Sequence, residues 1–87
     1  MSQEEMIQAM AEGDREAFRQ FYQETARPVY SFILSLTKSP YEAEDLMQET
    51  YLCVWTKAKS YVPLGKPLAW VFTIARNPCY MRFREQK

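Results

Sequence analysis

The chain has 87 residues, of which 47% are hydrophobic and 25% are charged, which suits one small domain with a single core. This composition excludes a disordered chain, and no apolar run approaches the roughly 20 residues that a membrane-spanning helix needs. The acidic start resembles no signal peptide, and eleven Lys and Arg offset eleven Asp and Glu. We therefore expect a single cytoplasmic domain over residues 1–87, without membrane insertion.

The charges are distributed unevenly along this neutral chain. Up to Thr50 there are ten acidic and four basic residues, whereas from Tyr51 onward there are one acidic and seven basic residues. Such asymmetry predicts a basic surface suited to a polyanion and a separate acidic surface suited to another partner.

Two helices are predicted in the first part of the chain. The first covers residues 3–12 and stops at Gly13, after which Asp14 can cap the second helix. Pro28 interrupts that second helix and is expected to bend it. Apolar residues recur in it at steps of three, four or seven and are predicted to form one core stripe: Phe18, Phe21, Tyr22, Val29, Phe32, Ile33 and Leu36.

A third helix has the clearest start signal, because Ser39 and Glu42 form a capping box around Pro40. Its predicted apolar face consists of Ala43, Leu46, Met47, Thr50, Val54 and Ala58. The opposite side is left to solvent or a partner and carries Glu44, Asp45, Gln48 and Glu49.

Residues 60–66 contain proline and glycine and are predicted to form a loop. Pro67 can then open a fourth helix that runs to about Arg84. Its buried residues are expected to be Leu68, Val71, Phe72, Ile74 and Ala75. No segment alternates as a strand would, so the sequence predicts an all-α fold, a compact bundle of about four helices.

Catalysis and metal binding have little support. There is no histidine, no glycine-rich phosphate loop and no nucleophile with an identifiable base. The carboxylates of the third helix could be imagined as a metal site, but a solvated acidic face is the simpler interpretation. Cys53 and Cys79 are expected to be buried, reduced thiols, with a redox pair as the alternative. We expect a binding module that is not an enzyme and needs no metal or cofactor.

Aromatic residues accompany the cations of the second half. Tyr61, Trp70 and Tyr80 lie in or beside a segment that contains Lys59, Lys66, Arg76 and Arg82. Rings can stack on bases while Lys and Arg hold phosphates, as single-stranded nucleic-acid surfaces require. On this pattern alone, nucleic-acid binding and simple core packing both remain open.

Three motifs in order carry a family resemblance: DLMQE at residues 45–49 followed by Trp55, the GKP that ends the loop at residues 65–67, and AWVFTIARN at residues 69–77. From about Glu12 to Arg84 the chain resembles the second conserved region of sigma factors of the extracytoplasmic-function (ECF) subgroup. Members of that family bind core RNA polymerase, direct it to promoters and open the DNA at the minus-ten element. They are not themselves enzymes.

The resemblance implies two sets of functional residues. The set expected to dock on the clamp helices of the largest polymerase subunit is Asp45, Gln48, Glu49, Tyr51 and Trp55. Residues 60–66 match the loop that captures a base extruded from the non-template strand, and the fourth helix matches the helix that opens the duplex. The DNA-binding set is Tyr61, Lys66, Trp70, Thr73, Arg76, Asn77 and Tyr80.

Two departures from the family pattern keep an alternative open. Pro78 stands where the family usually continues an unbroken helix, and it is expected to kink that helix or shift its start, which affects Asn77, Tyr80 and Arg82. The 87 residues also contain no counterpart of the domain that reads the minus-thirty-five element. The alternative is a regulatory module that binds polymerase or an anti-sigma protein without opening DNA.

Overall fold

The computed structural model describes the backbone of residues 1–85 and the side chains of residues 1–77. Its helices are α1 (Gln3–Ala11), α2 (Arg15–Thr37), α3 (Pro40–Lys57) and α4 (Pro67–Glu85), and a 3₁₀ turn at Ala58–Ser60 follows α3. The described backbone contains no strand. The predicted all-α bundle of four helices is therefore confirmed.

Side-chain caps define where the first two helices begin. The Ser2 hydroxyl accepts the Glu5 backbone N–H at 3.1 Å, while a Glu5 carboxylate oxygen accepts the Ser2 N–H at 2.9 Å. This reciprocal capping box was not predicted, although its serine and glutamate have the required spacing. Gly13 has φ +94° after α1, a conformation that favours glycine. Asp14 then caps α2 as predicted, by accepting the Ala17 N–H at 3.1 Å.

The start of α3 follows a left-handed turn. Lys38 has φ +57° at the end of α2. The Ser39 hydroxyl accepts the Glu42 N–H at 3.3 Å, which confirms this half of the predicted capping box. The Ser39 N–H itself donates to the Thr37 hydroxyl oxygen at 3.3 Å. Ser39 is therefore hydrogen-bonded to the end of α2 and to the start of α3.

Both internal prolines lie within continuous helices. Helix α2 runs through Pro28, whose ring replaces one backbone donor. Helix α4 starts at Pro67, as predicted, and its backbone is helical through Pro78, so the start has not moved past that proline. The side chains of residues 78–87, which include Cys79, Tyr80 and Arg82, lie outside the described residues.

Helices α2 and α3 each pack against the other three helices, and α2 packs more extensively than α3 against α1. The apolar core consists of Met6, Ile7, Met10, Ala17, Phe21, Val29, Ile33, Ala43, Leu46, Met47, Tyr51, Val54, Ala58, Val71, Ile74 and Ala75. Every residue of the predicted apolar face of α3 is buried. Helix periodicity thus orients α3 correctly and places its acidic side toward solvent.

Other predicted core positions are less enclosed than the periodicity suggested. Tyr22 is 41% exposed, because its ring lies at the outer edge of the α2 stripe against Tyr51. Phe32 is half-buried and stacks on Phe72, with ring centroids 4.6 Å apart. Phe18, Leu36 and Leu68 are also half-buried. In a bundle this small, large side chains at the margins of a stripe keep part of their surface in water.

Candidate functional site

The outer side of α3 carries the acidic face, a name used here for Asp45, Gln48 and Glu49. All three side chains are exposed and follow one another at helical spacing. Trp55 is half-buried, and its ring meets the edge of Phe18 with centroids 5.4 Å apart. This packing fixes the indole against α2, so the acidic face ends in a rigid, partly exposed ring.

Tyr51 differs from the other residues predicted to bind polymerase. It is 3% exposed, and its hydroxyl lies 2.5 Å from the Thr25 hydroxyl oxygen in the core. Because the Thr25 hydroxyl donates to the Phe21 carbonyl at 2.8 Å, Tyr51 is the donor of the shared bond. Burial raises the pKa of Tyr51 to about 12. Tyr51 therefore links α2 and α3, and its assignment to the polymerase-binding set stays a prediction.

An open groove of about 960 Å³ runs between α2 and α3 beside the acidic face. Gln48 belongs to both the acidic face and the groove wall, and Met47 and Tyr51 contribute apolar surface to it. The contribution of α2 was missed by sequence reasoning: Phe18, Tyr22, Gln23, Ala26, Arg27 and Tyr30. A signal existed, because Phe18, Tyr22, Ala26 and Tyr30 follow one another at steps of four along one side of α2.

The second candidate surface is the basic face, defined as Lys66, Trp70, Thr73, Arg76 and Asn77. Lys66, Thr73, Arg76 and Asn77 are exposed and Trp70 is half-buried, so the structure brings the predicted set to one side of α4 and the preceding loop. The Thr73 hydroxyl donates to the Ala69 carbonyl at 3.0 Å and keeps its lone pairs available as acceptors.

Two predicted DNA-binding residues are not included in the basic face. Tyr80 falls on the part of α4 whose side chains lie outside the described residues. Tyr61 is half-buried, and its ring meets Trp70 edge-on with centroids 4.9 Å apart. Its hydroxyl is buried and has no hydrogen-bond partner among the described residues. Tyr61 therefore packs on Trp70, an arrangement that the sequence did not indicate.

The loop that precedes α4 exposes apolar side chains beside its cations. Val62 is 62% exposed and Leu64 is 76% exposed, while Lys59 and Lys66 flank them. Gly65 has φ +75°, and the Lys66 carbonyl accepts the Trp70 N–H at 3.2 Å as α4 begins. The loop tip thus combines apolar surface for base contacts with nearby positive charge for phosphates.

Within the part of the chain that the structure describes, no group of three or more Cys, Asp or Glu is arranged to hold a metal ion. Cys53 is a half-buried thiol, and the predicted relation to Cys79 lies outside the described side chains. The same described residues include no helix with the length and apolarity to cross a membrane.

Comparison with known proteins connects these surfaces to a family. The family model described as sigma-70 region 2 matches residues 21–87. The ECF RNA polymerase sigma factor SigK of Mycolicibacterium vanbaalenii is 34% identical over 83 residues, which cover 94% of this chain and 42% of that protein. The ECF RNA polymerase sigma factor SigM of Bacillus subtilis is 38% identical over 68 residues, which cover 78% of this chain and 41% of that protein.

A third relative, the ECF RNA polymerase sigma factor SigK of Mycobacterium tuberculosis, is 31% identical over 80 residues, which cover 91% of this chain and 43% of that protein. No solved structure gives a significant match. The chain belongs to the sigma-70 region 2 family, and its relatives place it in the ECF subgroup. It spans less than half the length of these curated relatives.

Proposed function

We propose that this chain is a transcription-initiation module that binds core RNA polymerase in the cytoplasm and recognises and opens the promoter minus-ten element. The observation that carries this proposal is that two helices of one bundle present surfaces of opposite charge: α3 presents the acidic face, and α4 presents the basic face. A protein that bridges a basic protein helix and a nucleic acid needs two such surfaces.

Polymerase docking is assigned to the acidic face and the adjoining groove. Carboxylates and an amide at helical spacing complement a basic helical partner, such as the clamp helices of the largest polymerase subunit. Trp55 supplies a rigid aromatic anchor, and the groove offers a recess for one apolar side chain of the partner. We propose that Tyr51 contributes indirectly, by keeping α2 and α3 at the spacing that forms the groove.

DNA recognition is assigned to the basic face and residues 60–66. We propose that Lys66 and Arg76 hold phosphates, that Trp70 stacks on or wedges against a base, and that Thr73 and Asn77 bind base edges; the exposure of the four polar side chains supports these roles. Extruding a base from a duplex costs a few kcal/mol, which stacking and edge hydrogen bonds on a prepared surface can offset.

A second candidate function is supported by one observation. Because Tyr61 and Trp70 pack on each other and are both half-buried, only part of either ring is available for stacking on bases. A regulatory module that binds polymerase or an anti-sigma protein without opening DNA would need no such stacking. The two functions share the acidic face and differ only in what α4 does.

The test of the shared part is binding to purified core polymerase. We expect the double variant Asp45→Lys and Glu49→Lys to bind polymerase at least tenfold more weakly, because two attractive charges become repulsive. Glu12→Lys is the matched control, since Glu12 is exposed at the end of α1, where a cation suits the helix dipole. Unchanged polymerase binding by a folded double variant would refute the docking assignment.

The test that separates the two functions is binding to a single-stranded oligonucleotide carrying the non-template minus-ten sequence. A sigma module should bind it, should lose affinity as salt rises, and should prefer some bases over others at one position. Trp70→Ala should remove that preference. Polymerase binding without any affinity for the oligonucleotide would favour the regulatory module.

A further inference from the structure

Helix α1 carries a carboxylate that neither proposed surface uses. Glu4 lies in the first turn of α1, and both of its carboxylate oxygens are buried. The hydroxyl of Tyr61, at the start of the loop before α4, is buried as well. Within the described residues neither group satisfies the geometry of a hydrogen bond, yet the two approach closely enough for Glu4 to raise the pKa of Tyr61.

The surroundings bring α1 and the loop together. Helix α1 packs against the 3₁₀ turn, and Ile7, Ala11, Tyr61 and Pro63 line a small cavity of about 280 Å³ between them. On its other side the Tyr61 ring meets Trp70 of the basic face. Tyr61 is therefore the side chain through which a change at α1 can reach the residues proposed to bind DNA.

The electrostatics define which partner donates. Burial is the largest cause that raises the pKa of Tyr61 to about 12, and Glu4 raises it further, so the phenol keeps its proton near neutral pH. The backbone amide of Lys66 acts in the opposite sense. With its proton kept, the buried Tyr61 hydroxyl can donate to the Glu4 carboxylate, whose oxygens are buried as well.

A buried carboxylate without hydrogen bonds is costly, whereas a phenol–carboxylate hydrogen bond is short and strong. We propose that Glu4 is a positioning residue for the DNA-binding loop: its carboxylate accepts the Tyr61 hydroxyl, and this bond joins the start of residues 61–66 to α1. Glu4 does not touch DNA. It fixes the loop and the orientation of Tyr61 against Trp70 before a base arrives, and this role rests on the proposed DNA-binding function.

The experiment compares Glu4→Ala, Glu4→Gln, Tyr61→Phe and the double variant Glu4→Ala with Tyr61→Phe. The first measurement is amide hydrogen exchange in residues 61–66, which needs no DNA. The second is the affinity ratio between two single-stranded minus-ten oligonucleotides that differ at one base. Glu12→Gln is the control, since it also removes one negative charge from α1 but from an exposed position.

We expect Glu4→Ala to speed exchange in the loop by about tenfold, which is the scale of losing one charge-assisted hydrogen bond, and to reduce the affinity ratio. Glu4→Gln should keep loop exchange and the affinity ratio closer to those of the unaltered chain, because the glutamine amide oxygen still accepts the phenol proton. In the Tyr61→Phe background, Glu4→Ala should have no further effect. Glu12→Gln should leave both measurements unchanged.

The positioning role is overturned if Glu4→Ala leaves loop exchange unchanged, or if its effect is equally large with Phe at position 61. If Glu4→Ala fails to fold, Glu4→Gln and Tyr61→Phe replace it in the test. Unchanged loop exchange in both of these variants also overturns the positioning role. If Glu4→Ala speeds loop exchange but the unaltered chain binds no oligonucleotide, the link between α1 and the loop stands. The proposed DNA-binding function is then what fails.

Discussion

At the scale of single residues, two buried threonines occupy opposite hydrogen-bonding situations. Thr25 donates to the Phe21 carbonyl and accepts from Tyr51, whereas the Thr50 hydroxyl, equally buried, has no hydrogen-bond partner among the described residues. We expect Thr25→Val to lower the free energy of unfolding by about 1 to 3 kcal/mol, because the Tyr51 hydroxyl loses its acceptor.

The same substitution at Thr50 should act in the other direction. Thr50→Val removes a buried hydroxyl while it keeps the shape of the side chain, so the free energy of unfolding should rise by up to about 1 kcal/mol. Urea denaturation of the two variants, followed by circular dichroism, measures the difference. Destabilisation of the same size in both would show that Thr50 has a partner after all.

The buried phenols make stability depend on alkaline pH. Burial raises the pKa of Tyr51 in the folded chain from 10.0 to about 12. Below pH 10 both states keep the proton, and this contribution to stability is complete. Between about pH 10 and 12 the unfolded chain loses the proton first, so stability should fall. Tyr51→Phe should make that fall shallower, as measured by urea denaturation at a series of pH values. An unchanged pH dependence of the free energy of unfolding would show that another group causes the fall.

Two phenylalanines of α2 differ in burial and should therefore differ in their contribution to stability. Phe21 is 0% exposed, and Phe21→Ala should lower the free energy of unfolding by about 3 to 5 kcal/mol. That is a large share of the total stability of a domain of this size. Phe32 is half-buried against Phe72, so Phe32→Ala should cost distinctly less. Thermal unfolding of both variants gives the comparison, and a larger loss at Phe32 would contradict the structure.

At the scale of elements, Pro28 limits the stability of α2. It is exposed inside the helix and provides no N–H for the Glu24 carbonyl four residues earlier. Pro28→Ala should therefore raise the free energy of unfolding by about 1 to 3 kcal/mol. Ser31→Ala, another exposed position of α2, is the control and should change it by less than about 0.5 kcal/mol. A lower free energy of unfolding in Pro28→Ala would mean that the proline stabilises the conformation of α2.

The boundaries of the helices followed from local chemistry, and the sequence therefore predicted them well. Asp14, Ser39 and Pro67 act through neighbours in the chain, so a short window contains the whole signal. Periodicity also oriented α3, because its buried positions repeat every three or four residues. The Ser2 capping box carried an equally local signal and was overlooked.

Sequence reasoning missed contacts that join distant parts of the chain. The burial of Tyr51 was missed, although its place four residues after buried Met47 already indicated the core. The approach of Glu4 to Tyr61 depends on how α1 packs on the 3₁₀ turn, which no local pattern encodes. The groove likewise exists only once α2 and α3 are packed side by side.

At the scale of the whole molecule, the net charge of zero means that attraction to DNA must come from a local group of cations. We expect Lys66→Gln and Arg76→Gln each to reduce the log-log salt slope of oligonucleotide binding by about 0.7, the value for one phosphate of a single strand. Asn77→Ala should leave the slope unchanged and weaken base preference. Equal slopes for all three variants would remove Lys66 and Arg76 from the phosphate contacts.

The packing of α4 on both α2 and α3 has a consequence for the order in which the chain folds as it leaves the ribosome. Helices α1, α2 and α3 emerge before α4 and can form the groove, but the surfaces of α2 and α3 that pack against α4 stay uncovered until α4 arrives. A chain cut after the 3₁₀ turn should therefore keep its helices and aggregate through those uncovered surfaces. Helix α4 therefore completes the core as well as the basic face.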